Sequence, residues 1–174
     1  FSNVSCYGWS NGSIQAIIPV NGTAPFEYSV NGGLHHPNMA YFNGYGPGTY
    51  TVEVWDVNNC SNSYLITITE PDELDVTITT SNYSGYQIAC HDSADGDATI
   101  VVNGGGIPPY EYAIDGGSYT SNSTFSGLYA GPHTFNVKDA NDCIYTETID
   151  YNEPDAIVHN FIATHVSCTD SANA

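Results

Sequence analysis

Basic side chains are almost missing from this chain: of 174 residues only Lys138 is Lys or Arg, against 19 Asp and Glu, and the formal charge is −18. A phosphate backbone is bound by clustered Lys and Arg, so nucleic acid is all but excluded as a partner. An anionic membrane surface is disfavoured for the same reason. Long apolar runs are missing too. Residues 14–20 and 99–102 form the longest, far short of the roughly 20 needed to cross a bilayer, so no membrane insertion is expected. No cationic stretch leading into an apolar one stands at Phe1, so an export signal, if there is one, is expected upstream of it. Charged residues make up 11% of the chain, whereas 41% are hydrophobic and 14 are Tyr. Such a composition is uncharged-polar, unlike a charged disordered tail, and the chain is expected to fold.

What is present is a repeat. Ala24-Pro25-Phe26-Glu27-Tyr28-Ser29-Val30-Asn31-Gly32-Gly33 lies over Pro108-Pro109-Tyr110-Glu111-Tyr112-Ala113-Ile114-Asp115-Gly116-Gly117. Gly48-Thr49-Tyr50-Thr51-Val52-Glu53-Val54-Trp55-Asp56 lies over Gly131-Pro132-His133-Thr134-Phe135-Asn136-Val137-Lys138-Asp139, and Glu70-Pro71-Asp72 over Glu153-Pro154-Asp155. Val166-Ser167-Cys168-Thr169-Asp170-Ser171-Ala172 then restarts the motif of Ile88-Ala89-Cys90-His91-Asp92-Ser93-Ala94. The expected organisation is a first unit at 1–71 without its first strand, a second at 72–154, and the start of a third at 155–174, as a window on a longer array.

Between Gly, Pro and Asn punctuation the segments are short, alternating and rich in β-branched and aromatic residues, and they predict strands at 13–20, 26–30, 49–55, 64–69, 75–80, 97–102, 110–114, 134–138 and 144–149. Asn31-Gly32-Gly33 and Asp115-Gly116-Gly117 supply turns. On the strand at 49–55, Tyr50, Val52 and Val54 face one way and Thr51 and Glu53 the other. The fold class is therefore all-β, in tandem Ig-like or fibronectin-like β-sandwich repeats. A core of about 80 residues is small, and a covalent staple would help it. Each full unit has one Cys after its first strand and one at the turn before its last, which pairs Cys6 with Cys60 and Cys90 with Cys143 and leaves Cys168 for a partner beyond the chain shown. The pairing needs an even number of strands between the two cysteines. Free thiols and a Cys60 to Cys90 bridge are the alternatives, and disulfides would imply an extracytoplasmic compartment.

The series Val4-Ser5-Cys6-Tyr7-Gly8, Asn11-Gly12-Ser13-Ile14, Gly22-Thr23-Ala24-Pro25-Phe26-Glu27-Tyr28-Ser29, Gly48-Thr49-Tyr50-Thr51-Val52, Asp56-Val57-Asn58-Asn59-Cys60 and Glu70-Pro71 resembles the SprB-type repeat. The second unit matches through Asp95-Gly96-Asp97-Ala98-Thr99, Gly106-Ile107-Pro108-Pro109-Tyr110-Glu111-Tyr112, Gly127-Leu128, Gly131 and Asp139-Ala140-Asn141-Asp142-Cys143. It departs at His133, where Tyr50 is aromatic, at Asp142, where the pattern prefers Gly, and in an insertion at residues 34–38. Such repeats occur in very large cell-surface adhesins of the Bacteroidetes, including the mobile adhesin of gliding motility. The resemblance implies export through the type IX route and assembly into long surface filaments.

No catalytic residue is expected. Gly8-Trp9-Ser10-Asn11-Gly12 has the form of a nucleophile elbow but no helix follows, and the second unit reads His91-Asp92-Ser93-Ala94-Asp95-Gly96 there, so it is a loop. Asn103-Gly104-Gly105-Gly106 leads into Ile107-Pro108-Pro109 and is a turn, not a phosphate cradle. The histidines His35, His36, His91, His133, His159 and His165 have no zinc spacing. No cofactor is called for, with Ca²⁺ the one candidate: Asp92, Asp95 and Asp97 offer hard oxygens on a Gly-containing loop, and Asp139, Asn141 and Asp142 would approach if Cys90 bridged Cys143. The first unit has only Ser10, Asn11 and Ser13 there, and a solvated acidic loop is the alternative. Ser93 and Ser171, in Asp-Ser-Ala at one phase of two units, look like the O-glycosylation signal of Bacteroidetes. Asn3, Asn11, Asn21, Asn59, Asn82 and Asn122 head N-glycosylation sequons in form only. Tyrosines on half-buried strands read as core or cross-strand packing, with a sugar-stacking face as the alternative.

These readings converge on a structural and adhesive segment of a secreted cell-surface protein, its partners being neighbouring repeats and, through self-association into filaments, other copies. Surface glycans or other cells are the outward partners expected. A carbohydrate-binding array on an exported enzyme and a short strand-exchanging subunit are the rivals. The Glu-Pro-Asp linkers predict a fixed angle between units.

Overall fold

The computed structural model describes residues 1–162, and those residues form twelve strands and no helix. Strands β1 (Gly12–Gln15), β2 (Glu27–Val30), β3 (His36–Pro37), β4 (Tyr41–Tyr45), β5 (Gly48–Trp55) and β6 (Ser61–Ile68) pair with one another as β1-β4 and β3-β2-β5-β6. Strands β7 (Asp75–Thr80), β8 (Gly96–Gly104), β9 (Glu111–Ile114), β10 (Thr124–Leu128), β11 (Gly131–Lys138) and β12 (Ile144–Tyr151) pair as β10-β8-β7 and β12-β11-β9. Every pairing is antiparallel. Each unit is thus two small sheets closed over one core, and the chain is a tandem of Ig-like β-sandwiches, as its alternation predicts.

Alternation decides which face closes. Along β8, Gly96, Ala98 and Ile100 are buried while Asp97, Thr99 and Val101 are exposed. On β5, Val52 is buried and Tyr50 and Val54 pack against the same core. Val4, Ile14, Tyr28, Phe42, Val52 and Ile68 make the first core. Ile88, Ala98, Ile100, Leu128, Phe135, Val137 and Tyr151 make the second, with Val76 and Ile78 of β7 packed on it. Burying each large side chain contributes about 1.5–3 kcal/mol, so two such cores hold two sandwiches.

Three strands were not legible. β4 and β10 occupy equivalent places and carry Gly44 and Gly127 at positive φ, so their alternation is broken by residues that read as turns. β3 lies in the insertion at residues 34–38 and is two residues long. The predicted strand at 13–20 stops at Gln15, and Ile17, Ile18 and Val20 are exposed. The reason is a missing neighbour: β8 is held along nine residues by β7 on one edge and β10 on the other, whereas β1 has β4 and, among the described residues, only the Ser2 to Ser13 bridge on its other edge. Unpaired N–H and C=O groups leave such an edge unsupported.

Each sandwich has two distinct ends. A Cβ on Gly96 would meet Leu128 O at 2.9 Å and Tyr151 at 3.1 Å, and one on Gly12 would meet Tyr45 O at 2.8 Å and Ile68 at 2.9 Å. The starts of β8 and β1 therefore lie at the end where the last strand of their own unit finishes, the distal end. β7 runs from the opposite, proximal end, where Gly106 N–H donates to Asp72 O at 2.9 Å and Ala140 N–H to Ile107 O at 2.8 Å.

Candidate functional site at the junction of the two units

At the distal end of the first unit the chain turns at residues 6–9 in a loop built from local bonds. Trp9 N–H donates to Cys6 O at 3.1 Å, and Gly8 N–H donates to the Glu70 carboxylate at 2.6 Å, with Gly8 at φ +72°. Asn11 braces the approach, its Oδ1 accepting Ser5 N–H at 3.0 Å. At the proximal end of the second unit Asp139, 2% exposed, organises the turn before β12. Its Oδ1 accepts the N–H groups of Asn141 and Cys143 at 2.8 and 2.9 Å, and its Oδ2 accepts Ile107 N–H at 2.8 Å. A carboxylate with three N–H donors fixes the turn and aims Cys143 outward.

These two loops face each other. Cys6 and Cys143 form a disulfide with Cα atoms 5.6 Å apart, and Asn141 Nδ2 donates to Ser5 O across the same boundary at 3.0 Å. The linker crosses beside it, and a Cβ on Gly105 would lie 1.8 Å from Glu73 O, so this left-handed glycine at φ +76° is where the second unit admits the linker backbone. A shallow cleft lined by Tyr7, Trp9, Leu74, Ile144 and Tyr145 borders the disulfide.

The expected pairing of Cys6 with Cys60 and Cys90 with Cys143 is therefore overturned: the staple joins the units, and Cys60 and Cys90 are free and exposed. The parity condition fails because β9 and β10 both run toward the distal end, the chain doubling back through residues 115–123 to pair Tyr112 with Thr120. Four strands separate Cys90 from Cys143, yet they lie at opposite ends of their sandwich. Cys168 lies outside the described residues, as do Ser171 and His165.

The same geometry separates the expected calcium ligands. Asp92, Asp95 and Asp97 belong to the distal loop, where Asp95 accepts Ala89 N–H at 2.9 Å, while Asp139 and Asn141 sit at the proximal junction and are committed to its turn. In the distal loop of the second unit the donor atoms that come within 4.8 Å of one another are those of His91, Asp92 and Glu153, a set that could hold a cation. Glu153 is already engaged, by His91 Nδ1 at 2.7 Å and Asp92 N–H at 2.8 Å. Ser93 is half-buried in this loop, its N–H on Cys90 O at 3.1 Å. The nucleophile-elbow stretch is the Cys6 loop itself, and the Gly104 to Gly106 turn receives the linker.

Sequence reading did not assign the roles of Glu70, Glu153, Asp56 and Asp139. The signal was in the spacing: an Asp four residues before each turn cysteine and a Glu ten after it. Asp56 repeats the Asp139 clamp on Asn58, Cys60 and Thr23, and those N–H donors, Cys60 first, hold its carboxyl below the usual carboxylate range. Lys138 flanks the junction turn, 2.9 Å from Glu111 and 3.4 Å from Asp142, and the Glu111 hydrogen bond raises its pKa.

Residues 1–34 and 77–118 match the SprB repeat, one stretch in each unit. That family implies a cell-surface protein with an adhesin-type role. No curated protein matches the chain in sequence. A solved structure described as an amphioxus IgVJ-C2 molecule aligns over 84% of this chain and 98% of its own, with 10% identity and a TM-score of 0.34.

Proposed function

We propose that this chain, which carries two SprB-type repeats, is a stalk segment of a large exported adhesin, catalysing nothing and holding a binding tip away from the cell at a fixed spacing. The observation that supports the reading most is the Cys6–Cys143 disulfide between units. Single-domain stability is served by a bond within a sandwich; a bond between sandwiches, beside a packed linker, sets an angle. Type IX export, a filament of many such repeats and a role in surface movement belong to the same reading, as does an outward partner among glycans or other cells. A strongly anionic surface with one Lys keeps such stalks from adhering nonspecifically along their length.

The test is the mass of the native polypeptide in the surface fraction, reduced and non-reduced. A chain of hundreds of kilodaltons whose peptides hold many variants of the Cys6 to Pro71 pattern is expected. A mass near 18.6 kDa would overturn the long stalk.

A further inference from the structure

The bonded junction has two halves, and the chain carries a second, unbonded example of each. The Cys90 loop is the Cys6 loop again: Ser93 N–H donates to Cys90 O at 3.1 Å, Asp92 N–H to the Glu153 carboxylate at 2.8 Å, and Asp92 has φ +58° where Gly8 has +72°. The Cys60 turn is the Cys143 turn again, with Asn58 and Cys60 N–H on Asp56 Oδ1, Thr23 N–H on Oδ2, and Asn59 at φ +64° where Asp142 has +61°. Cys6 and Cys143 are 2% and 9% exposed because each covers the other; Cys60 and Cys90 are exposed. Cys60 lies at the proximal end of the first unit and Cys90 at the distal end of the second, so they cannot meet within one chain.

We propose that Cys90 of one copy and Cys60 of a second copy form a further joint of the same build, linking copies head to tail. This rests on the stalk reading and extends it, since it makes the staple recur at every joint. The first unit offers a docking surface for such a joint. Among the described residues the edge of β1 carries only the Ser2 to Ser13 bridge where β8 has β7, and the face beside it is lined by Ile17, Ile18, Phe26, Val54 and Ile66. Past Glu153-Pro154-Asp155 the chain continues with Ile157, Val158, Phe161 and Ile162 exposed, as it continues past Glu70-Pro71-Asp72 into Leu74 and β7. The occupant of that edge on the second copy is the segment past Glu153 of the first copy, the one that gives Cys90, paired as β7 pairs with β8 and setting Phe161 where Ile78 packs on the second core. One position departs: Asn21 stands where Gly105 admits the linker, so the copied joint is tighter there than the one in the chain.

Chemically the bond needs a disulfide donor, here a low-molecular-weight disulfide RSSR. The Cys90 thiolate attacks one sulfur and expels RS⁻; the Cys60 thiolate of the second copy then displaces the second RS⁻ from the mixed disulfide. Two protein thiols are oxidised to one disulfide, one RSSR is reduced to two RSH, and the two thiol protons end on the leaving thiolates.

The experiment uses the full chain carrying Cys168→Ser, equilibrated with oxidised glutathione and resolved without reductant. A ladder at multiples of the monomer mass is expected, with Cys60–Cys90 as the linked peptide and Cys6–Cys143 retained. Cys60→Ser and Cys90→Ser should each stay monomeric, their mixture should stop at dimers, and Asn21→Gly should lengthen the ladder. Linked peptides of Cys60–Cys60 or Cys90–Cys90, a single variant that dimerises, or a monomer with both thiols alkylated would each overturn the proposal. In any of those cases a monomer that still scatters X-rays as one rigid two-unit body leaves the stalk reading standing.

Discussion

The two units fill several of the same places with different chemistry and keep the same chemistry in the loops that form the junction. Tyr50 donates to Gly46 O at 3.0 Å, and at its place in the second unit His133 reaches Tyr129 O at 2.9 Å and pairs with Asp115 at 2.7 Å, where the first unit has Asn31. Lys138, set between Glu111 and the Tyr119 ring, answers Trp55, on which the inserted His35 stacks at 4.0 Å while bonding Glu27 at 3.2 Å. The inserted loop thus supplies Glu27 with a hydrogen-bond partner where the second unit gives Glu111 a lysine. The Asp clamp of the turn and the Glu clamp of the loop are alike in both units, down to the atoms they accept. The side walls of a sandwich tolerate any set of groups that satisfies its polar atoms, while a loop that must deliver a cysteine to a neighbour tolerates one shape.

The largest effect that would break this comparison is loss of the staple. Closing 137 residues of chain is worth on the order of 5 kcal/mol in the chain-entropy treatment, and Cys143→Ser should lose up to that amount and let the units move independently, as read by thermal unfolding and X-ray scattering. Next comes Asp139→Ala, which strands three N–H groups at a buried turn and should cost about 3 kcal/mol in denaturant unfolding. Asp56→Ala, at the equivalent but solvent-reached turn, should cost clearly less; equal losses would contradict the difference in burial. Gly105→Ala places a methyl on the linker backbone and should cost about 2 kcal/mol, with the loss of unit-to-unit rigidity as its signature.

The smallest effect sharpens the contrast between His133 and Tyr50. Burial opposes the charged forms of both partners, yet their mutual hydrogen bond, with Tyr129 O and Thr134 N–H, lifts the His133 pKa above 6.5 and lowers that of Asp115 below 3.8. Stability from His133 is complete below pH 6.5 and fades as pH rises through its folded pKa; that from Asp115 is complete above pH 3.8 and fades as pH falls through its own. The second unit should therefore be most stable between about pH 4 and 6.5, and His133→Tyr should flatten the alkaline side of that profile by roughly 0.5 kcal/mol. An unchanged slope would show that the pair contributes nothing to it.

Much of the fold is legible in the chain, and the remainder escapes for physical reasons. The repeat, the all-β sandwiches and the face of β5 follow from spacing and alternation, which local residues carry. β4 and β10 escape because Gly44 and Gly127 break a short pattern. Residues 16–20 read as strand because Ile17, Ile18 and Val20 have the propensity, but a strand is made by its neighbours. The disulfide partners escape because strand counting assumes strict up-and-down order, and the return through residues 115–123 defeats it. The clamps are visible as Asp and Glu at fixed distances from cysteine, without the ends of the sandwich that give those distances meaning.

The most direct test of the lock between units is the disulfide map of the intact, non-reduced chain after acidic proteolysis. A peptide joining Cys6 to Cys143 is the expected result. Peptides joining Cys6 to Cys60 and Cys90 to Cys143 would contradict it, returning each staple to its own sandwich and leaving the joint between units without its lock.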